Sequence, residues 1–287
     1  MPTFKITVAY DGTGLVGWQR QESGVSVQSL LEEALGRIDD HDVAVTGAGR
    51  TDAGVHALGQ VASFTLARSI EPAALARALN AILPATVRVT KAEPADPTFH
   101  ARFDATRKSY RYRISNQDVQ SPFDRDYAWH VVGPLDADAM GAAAILLEGR
   151  HDFAAFQAAG SSTASTVRDV FSSRIATGAS DDCSIDGGLG PDAGGRDTVS
   201  RGPVSSYLGT CPDQLIVYDV TGSGFLRHMV RTIVGSLVEI GRGRRPVEWM
   251  QEILDARTRR LAGPTAPPCG LVLVAVEYEV QSRPRTP

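Results

Sequence analysis

Within residues 1–102 the spacing of the apolar residues switches between a period of two and one of about 3.6, in the order strand, helix, strand, strand, helix, strand. Phe4 to Tyr10 reads as a strand, and Val27, Leu30, Leu31, Ala34, Leu35 and Ile38 mark one helix face with Ser26 as its N-cap. A short strand from Val43 to Thr46, a second from Gln60 to Leu66, a helix from Glu71 to Ile82 with Pro72 near its first position, and a strand from Val87 to Lys91 complete the series. This β-α-β-β-α-β order predicts a ferredoxin-like unit: two helices cover one face of an antiparallel sheet, and the other face stays open.

Residues 103–281 read as a variation on the same unit. Strands are expected at Lys108 to Ser115, Val167 to Thr177, Gln214 to Thr221 and Leu271 to Val280, with helices at Asp136 to Leu147 and Phe225 to Ile240. A further helix is expected at Val247 to Asp255. The fold class is therefore α+β, with two ferredoxin-like (RRM-like) halves, 1–102 and 103–281, whose antiparallel sheets meet at a central cleft, and a tail at 282–287. Gly178 to Asp213 fits neither half; rich in Gly, Ser and Asp, it reads as a loosely ordered insertion.

That insertion governs the charge balance. The chain has 29 Lys+Arg and 33 Asp+Glu, a net −4, which does not suggest a nucleic-acid binder. The insertion holds six acidic residues and two basic ones, leaving 27 of each elsewhere. Any RNA-binding charge must then be local, and Arg227, Arg231 and Arg242 to Arg245 form the densest basic run, with Arg20, Arg50, Arg111 and Arg113 as further candidates. No secretory signal pattern and no apolar stretch of about 18 residues is visible, so a soluble cytoplasmic protein without membrane contact is expected. The three cysteines form no C-x-x-C pair, and no metal-ligand spacing, P-loop, G-x-S-x-G or H-E-x-x-H motif occurs.

Four segments carry possible chemistry. Gly12 to Gly17 matches G-x-G-x-x-G after a strand, but the helix starts about ten residues late, so a dinucleotide site lacks its helix N-terminus. Gly47 to Gln60 joins two strands through a long loop with a single carboxylate, Asp52, between Arg50 and His56; Asp52 is either an Asx-turn residue or a functional group. Alternation places Tyr110 and Tyr112 on one face of a strand with Lys108 and Ile114, suited either to base stacking or to a core. In the helix of residues 225–240, Arg227 and Arg231 sit one turn apart beside an apolar seam, where an arginine calls for an anionic partner. His151 and Asp152 read as a structural pair.

Taken together, Tyr10-Asp-Gly, Gly17-Trp-Gln-Arg-Gln21, Gly49-Arg-Thr-Asp-Ala-Gly-Val-His56, Phe99-His-Ala-Arg102, Lys108-Ser-Tyr-Arg-Tyr112, His151-Asp-Phe153, Gly224-Phe-Leu-Arg-His-Met-Val-Arg231, Thr265-Ala-Pro and Gly270-Leu-Val-Leu-Val274 resemble the tRNA pseudouridine synthases of the TruA type. The resemblance implies isomerisation of uridine to pseudouridine at positions 38, 39 and 40 of the tRNA anticodon stem-loop, by a homodimer with no cofactor or metal. It assigns Asp52 as the catalytic aspartate and nucleophile, Arg231 as its carboxylate partner, and Arg50 to holding the loop or displacing the base. Tyr110, Arg20 and His56 are implied to bind substrate, Tyr110 by stacking on the flipped uracil. Whether the carboxylate attacks the base or takes a ribose proton is open at this level. The insertion has no counterpart in the shared pattern, and no role falls to Cys269. The competing expectation is a catalytically silent RNA-binding protein using its sheets as stacking platforms; a dinucleotide-dependent oxidoreductase would have to rest on Gly12 to Gly17.

Overall fold

Alternating burial along the first strand, with Phe4, Ile6, Val8 and Tyr10 buried, fixes which face of the sheet carries the core. In the computed structural model, which describes residues 1–158, 160, 163–178 and 214–279, that strand is β1 (Thr3–Tyr10). It is followed by α1 (Val27–Asp39), β2 (Thr46–Gly47), β3 (His56–Thr65), α2 (Pro72–Ile82) and β4 (Val87–Ala95). Then come β5 (Ala105–Ser115), β6 (Trp129–His130), α3 (Ala137–Ile145), β7 (Gly149–Asp152), β8 (Val167–Thr177), β9 (Leu215–Gly222), α4 (Met229–Gly241), α5 (Trp249–Ala256) and β10 (Leu271–Tyr278).

The helix ends obey local chemistry. Ser26 accepts a hydrogen bond from the Ser29 amide while the Ser29 hydroxyl accepts one from the Ser26 amide, a reciprocal cap that starts α1. Glu71 accepts from the Ala74 amide at 2.8 Å, and Pro72 opens α2 where its missing N–H costs nothing. The helix expected from Phe225 begins instead at Met229, because His228 takes φ 64°, a left-handed backbone that interrupts helical dihedrals. The short strands β6 and β7 were not evident from periodicity; His151 and Asp152 lie in β7.

The architecture is mixed α+β around one large mixed sheet. The two sheets expected from the sequence are continuous in the structure, in the order β4-β1-β3-β10-β5-β9-β8-β7, with β2 added to β3 and β6 to β5. The join is a short parallel pairing of β3 with β10, Val272 opposite His56 and Leu273 opposite Ala57. Gly59 permits it: a Cβ there would stand 2.4 Å from the Val274 carbonyl oxygen. Antiparallel ladders flank the join, β1 pairing with both β3 and β4, and β5 with both β10 and β9.

One apolar cluster runs from Phe4, Ile6 and Val8 through α1 and α2 to Tyr112, Tyr218, α4 and α5. In α4, Ile233, Val234, Leu237 and Val238 are buried, each such side chain contributing about 1.5–3 kcal/mol. On the opposite strand face Arg111 forms a two-pronged pair with Asp219 at 2.8 and 2.9 Å, and Arg113 lies 3.7 Å from Asp124. Those two arginines, candidates for RNA contact by charge alone, already have carboxylate partners. The expected insertion and tail, and the end of the last strand at Val280, fall outside the described residues apart from Gly178.

Candidate active site

The loop between β2 and β3 owes its shape to the segment before α1. Gly17 has φ +99°, and a Cβ on it would meet the Thr51 carbonyl oxygen at 2.5 Å, a combination only glycine tolerates. The Trp18 amide donates to Thr51 O at 3.1 Å, the Gly54 amide to Leu15 O at 3.3 Å, and the Tyr10 hydroxyl lies 2.8 Å from Thr51 Oγ1. Burial pushes that Tyr10 hydroxyl up to about 12, so it stays protonated. Gly12 and Gly17 therefore sit flush against the loop, which accounts for those two glycines without a nucleotide.

His56 lies behind this assembly. It is 4% exposed, its Nδ1 accepts from the Gly12 amide at 3.0 Å, and Asp11 Oδ1 is 3.2 Å from the same nitrogen. The Tyr127 hydroxyl donates to Asp11 Oδ2 at 2.7 Å. His56 is thus buried at the base of the loop and is not among the residues lining the cleft in front of it. Arg20 is also outside the cleft, engaged with Glu32 at 3.2 Å and Glu33 at 3.5 Å.

In front of the loop opens a cleft of about 910 Å³. It brings together Asp52 and Arg50 from the loop, Tyr110 from β5 and Arg231 from α4. Arg231 Nη1 donates to Asp52 Oδ2 at 3.1 Å across 179 sequence positions, and its Nε is held by Ala266 O at 2.7 Å. His228 Nε2 approaches the same Oδ2 at 3.5 Å. Among the described residues Oδ1 has no hydrogen-bond partner, so one carboxylate oxygen is tethered and the other is free. Burial pushes the His228 imidazole below its usual range; Asp52 opposes this, and Arg231, Arg227 and Arg259 add to it, leaving the ring neutral at pH 7.

Tyr110 is 8% exposed and meets Phe225 edge-on, centroids 5.1 Å apart at 82°. Burial, then the negative fields of Tyr10 and Asp52, push its phenol well above the ordinary range, so it acts as a neutral group. The described residues lining the cleft include five arginines, Arg50, Arg102, Arg168, Arg227 and Arg231, against one carboxylate, Asp52. The charge needed for a polyanion is local here, as the near-neutral remainder of the chain requires. Sequence reasoning did not pick out Arg168 or Phe225 individually, and it placed His228 inside a helix; its left-handed backbone is what turns it toward Asp52. No group of three or more potential metal-ligating side chains occurs among the described residues, and no described helix is long and apolar enough to cross a membrane.

Comparison with known proteins supplies independent findings. A family model described as tRNA pseudouridine synthase matches residues 6–104 and 143–279. A tRNA pseudouridine synthase A of Myxococcus xanthus is 42% identical over 287 residues, covering 100% of this chain and 96% of the relative. One of Pelobacter propionicus is 42% identical over 97% of the chain and 100% of its own length, and one of Moorella thermoacetica is equally similar over the same shares.

Proposed function

Because the chain belongs to the tRNA pseudouridine synthase family, we propose that it isomerises uridine at positions 38, 39 and 40 of the tRNA anticodon stem-loop, with Asp52 as nucleophile and no cofactor. The observation that carries this proposal is the Asp52 carboxylate: Oδ2 is fixed by Arg231 at 3.1 Å, Oδ1 has no hydrogen-bond partner among the described residues, and the side chain lines an arginine-rich cleft together with Tyr110. A silent RNA-binding surface gains nothing from an anion at its centre.

The reaction breaks the C1′–N1 bond, turns the uracil and forms C1′–C5; the C5 proton leaves and N1 gains one, so the elements of uridine are conserved. The base has to leave its stack to be reached, and it has to be retained once detached. Asp52 Oδ1 supplies the nucleophile, and Arg231 holds Oδ2 and stabilises the carboxylate's charge as it forms and re-forms. Tyr110, buttressed by Phe225, provides an apolar face for the free uracil. Arg50, on the same loop as Asp52 and lining the same cleft, fills the stack the base vacates or steadies the loop in this account.

Residues 1–102 and 103–281 act in this account as two ferredoxin-like halves of one continuous sheet, α1 and α2 belonging to the first and α3 and α4 to the second, with the cleft where they meet. The family resemblance carries two further parts: a homodimer that binds tRNA across both subunits, and a cytoplasmic setting. The test is incubation with tRNA tritiated at uridine C5 and measurement of label release, using transcripts in which uridines 38, 39 and 40 are replaced singly and together. Release that survives removal of all three would overturn the assigned positions.

A further inference from the structure

Lys108 is a cation in an unusual place. It shares the cleft-side face of β5 with Tyr110, two residues and about 7 Å along the strand, and its Nζ donates to Ala48 O at 2.7 Å, at the start of the Asp52 loop. No carboxylate pairs with it among the described residues. Two arginines close in from other elements: Arg102 from the segment before β5 and Arg168 from β8, both lining the cleft. Arg102 rests on the exposed Phe103 ring at 5.6 Å. Arg168 gives Nη1 to Ser165 O at 2.9 Å and Val167 O at 2.6 Å and lies against Gly224, while its Nε and Nη2 have no hydrogen-bond partner among the described residues. Neither arginine is ion-paired among the described residues. Three cations from three elements, held near one another without an anion, are a standing electrostatic cost that a bound anion relieves.

We infer that Lys108, Arg102 and Arg168 form a cradle for one backbone phosphodiester of the RNA, the one flanking the nucleotide held between Asp52 and Tyr110. The inference rests on the substrate class proposed above and adds the subsite that sets the reacting nucleotide's position along the strand. A phosphodiester suits the cradle because it offers two anionic oxygens to donors arriving from different directions. It also carries its charge unchanged across the neutral pH range, so the pH response of the pair belongs to the protein.

Burial, and then the fields of Arg102 and Arg168, push the Lys108 ammonium down to about 8. A phosphodiester seated against it favours the charged form, so binding takes up a proton wherever free Lys108 has begun to lose its own. Affinity therefore falls as pH rises through about 8, by at most about tenfold per pH unit for one proton. His228 titrates below this window and does not contribute.

The experiment measures the affinity of the whole protein for an anticodon stem-loop RNA at pH 7.0, 7.75 and 8.5, at fixed ionic strength. Wild-type affinity is expected to drop by about threefold to fourfold across that range. Lys108→Arg, whose charge does not titrate there, is expected to bind with a flat profile. Arg168→Gln is expected to bind more weakly at every pH and to lower the salt slope by about one, with the thermal midpoint unchanged. A stem-loop with a single methylphosphonate beside the target uridine is expected to lose the pH dependence in the wild type. A slope that persists in Lys108→Arg, or in every methylphosphonate RNA, would overturn the cradle alone. Failure of the wild type to bind the stem-loop would overturn the substrate class, and the cradle with it.

Discussion

Two carboxylates in the first hundred residues occupy opposite kinds of surroundings. At the end of α1, Asp39 is 3% exposed, and each of its oxygens accepts a backbone amide: Oδ2 from Ala67 at 2.8 Å and Oδ1 from Arg68 at 3.1 Å. In the β2–β3 loop, Asp52 has a half-buried side chain held by side chains alone, and only at Oδ2. Backbone amides pin a carboxylate to the chain that folds around it, so Asp39 ties α1 to the end of β3. A guanidinium on a distant helix instead leaves the other oxygen without a hydrogen-bond partner among the described residues. In the proposed account the carboxylate whose oxygens are both taken by backbone amides serves the fold, and the one with an untethered oxygen in the cleft serves the chemistry.

The comparison can be broken at either end. Asp52→Ala is expected to lower turnover by about a thousandfold or more, the scale of losing an attacking group, with little change in thermal midpoint. A midpoint falling as far as it does in Asp39→Ala would erase the contrast. Arg231→Gln is expected to cost about a hundredfold in turnover, the scale of removing one preorganised donor, with tRNA affinity nearly unchanged. Its bond to Ala266 O adds a stability component that Arg231→Lys tests by retaining the charge. Asp39→Ala strands two amides near the core and is expected to lower the thermal midpoint by about 5 °C, with turnover per folded molecule preserved.

The amide from Ala67, with burial opposing and the Arg68 amide assisting, holds the Asp39 carboxyl below the usual carboxylate range. Its contribution to stability is therefore complete at neutral pH and is lost as pH falls through that lowered value, so acid unfolding of Asp39→Asn should show a shallower pH dependence than the wild type. The smallest effect belongs to His228→Gln, about threefold in turnover at pH 7.5, since a neutral imidazole 3.5 Å from Oδ2 contributes about one weak hydrogen bond. As acid brings the pH down into its lowered range, the wild-type ring gains charge and draws on Asp52, so its rate should fall more steeply with acid than the variant's.

Much of this was legible in the sequence, and what was not has a common cause. Period and caps gave α1 from Ser26 and α2 from Pro72, because those signals are local. The loop around Asp52 stood out because a long glycine-rich connection between strands is uncommon. Its partner at Arg231 could be reached only through the family pattern, since a contact across 179 positions leaves no local trace. The join of β3 to β10 was missed for the same reason: two residue pairs in a parallel register carry no periodic signal. The start of α4 was placed too early because His228 looks like any helical residue until its φ of 64° is known. His56 stands four positions from Asp52 and Arg20 belongs to the segment before α1; the first turns into the base of the loop and the second to Glu32 and Glu33.

The central claim is that Asp52 reacts and does not merely shape its loop. Single-turnover release of tritium from C5-labelled tRNA, with enzyme in excess and bound RNA quantified in the same reaction, separates the two directly. The account predicts that Asp52→Asn binds the tRNA with an affinity within about threefold of wild type and releases no label above background. Label release at the wild-type rate from the bound variant would contradict it.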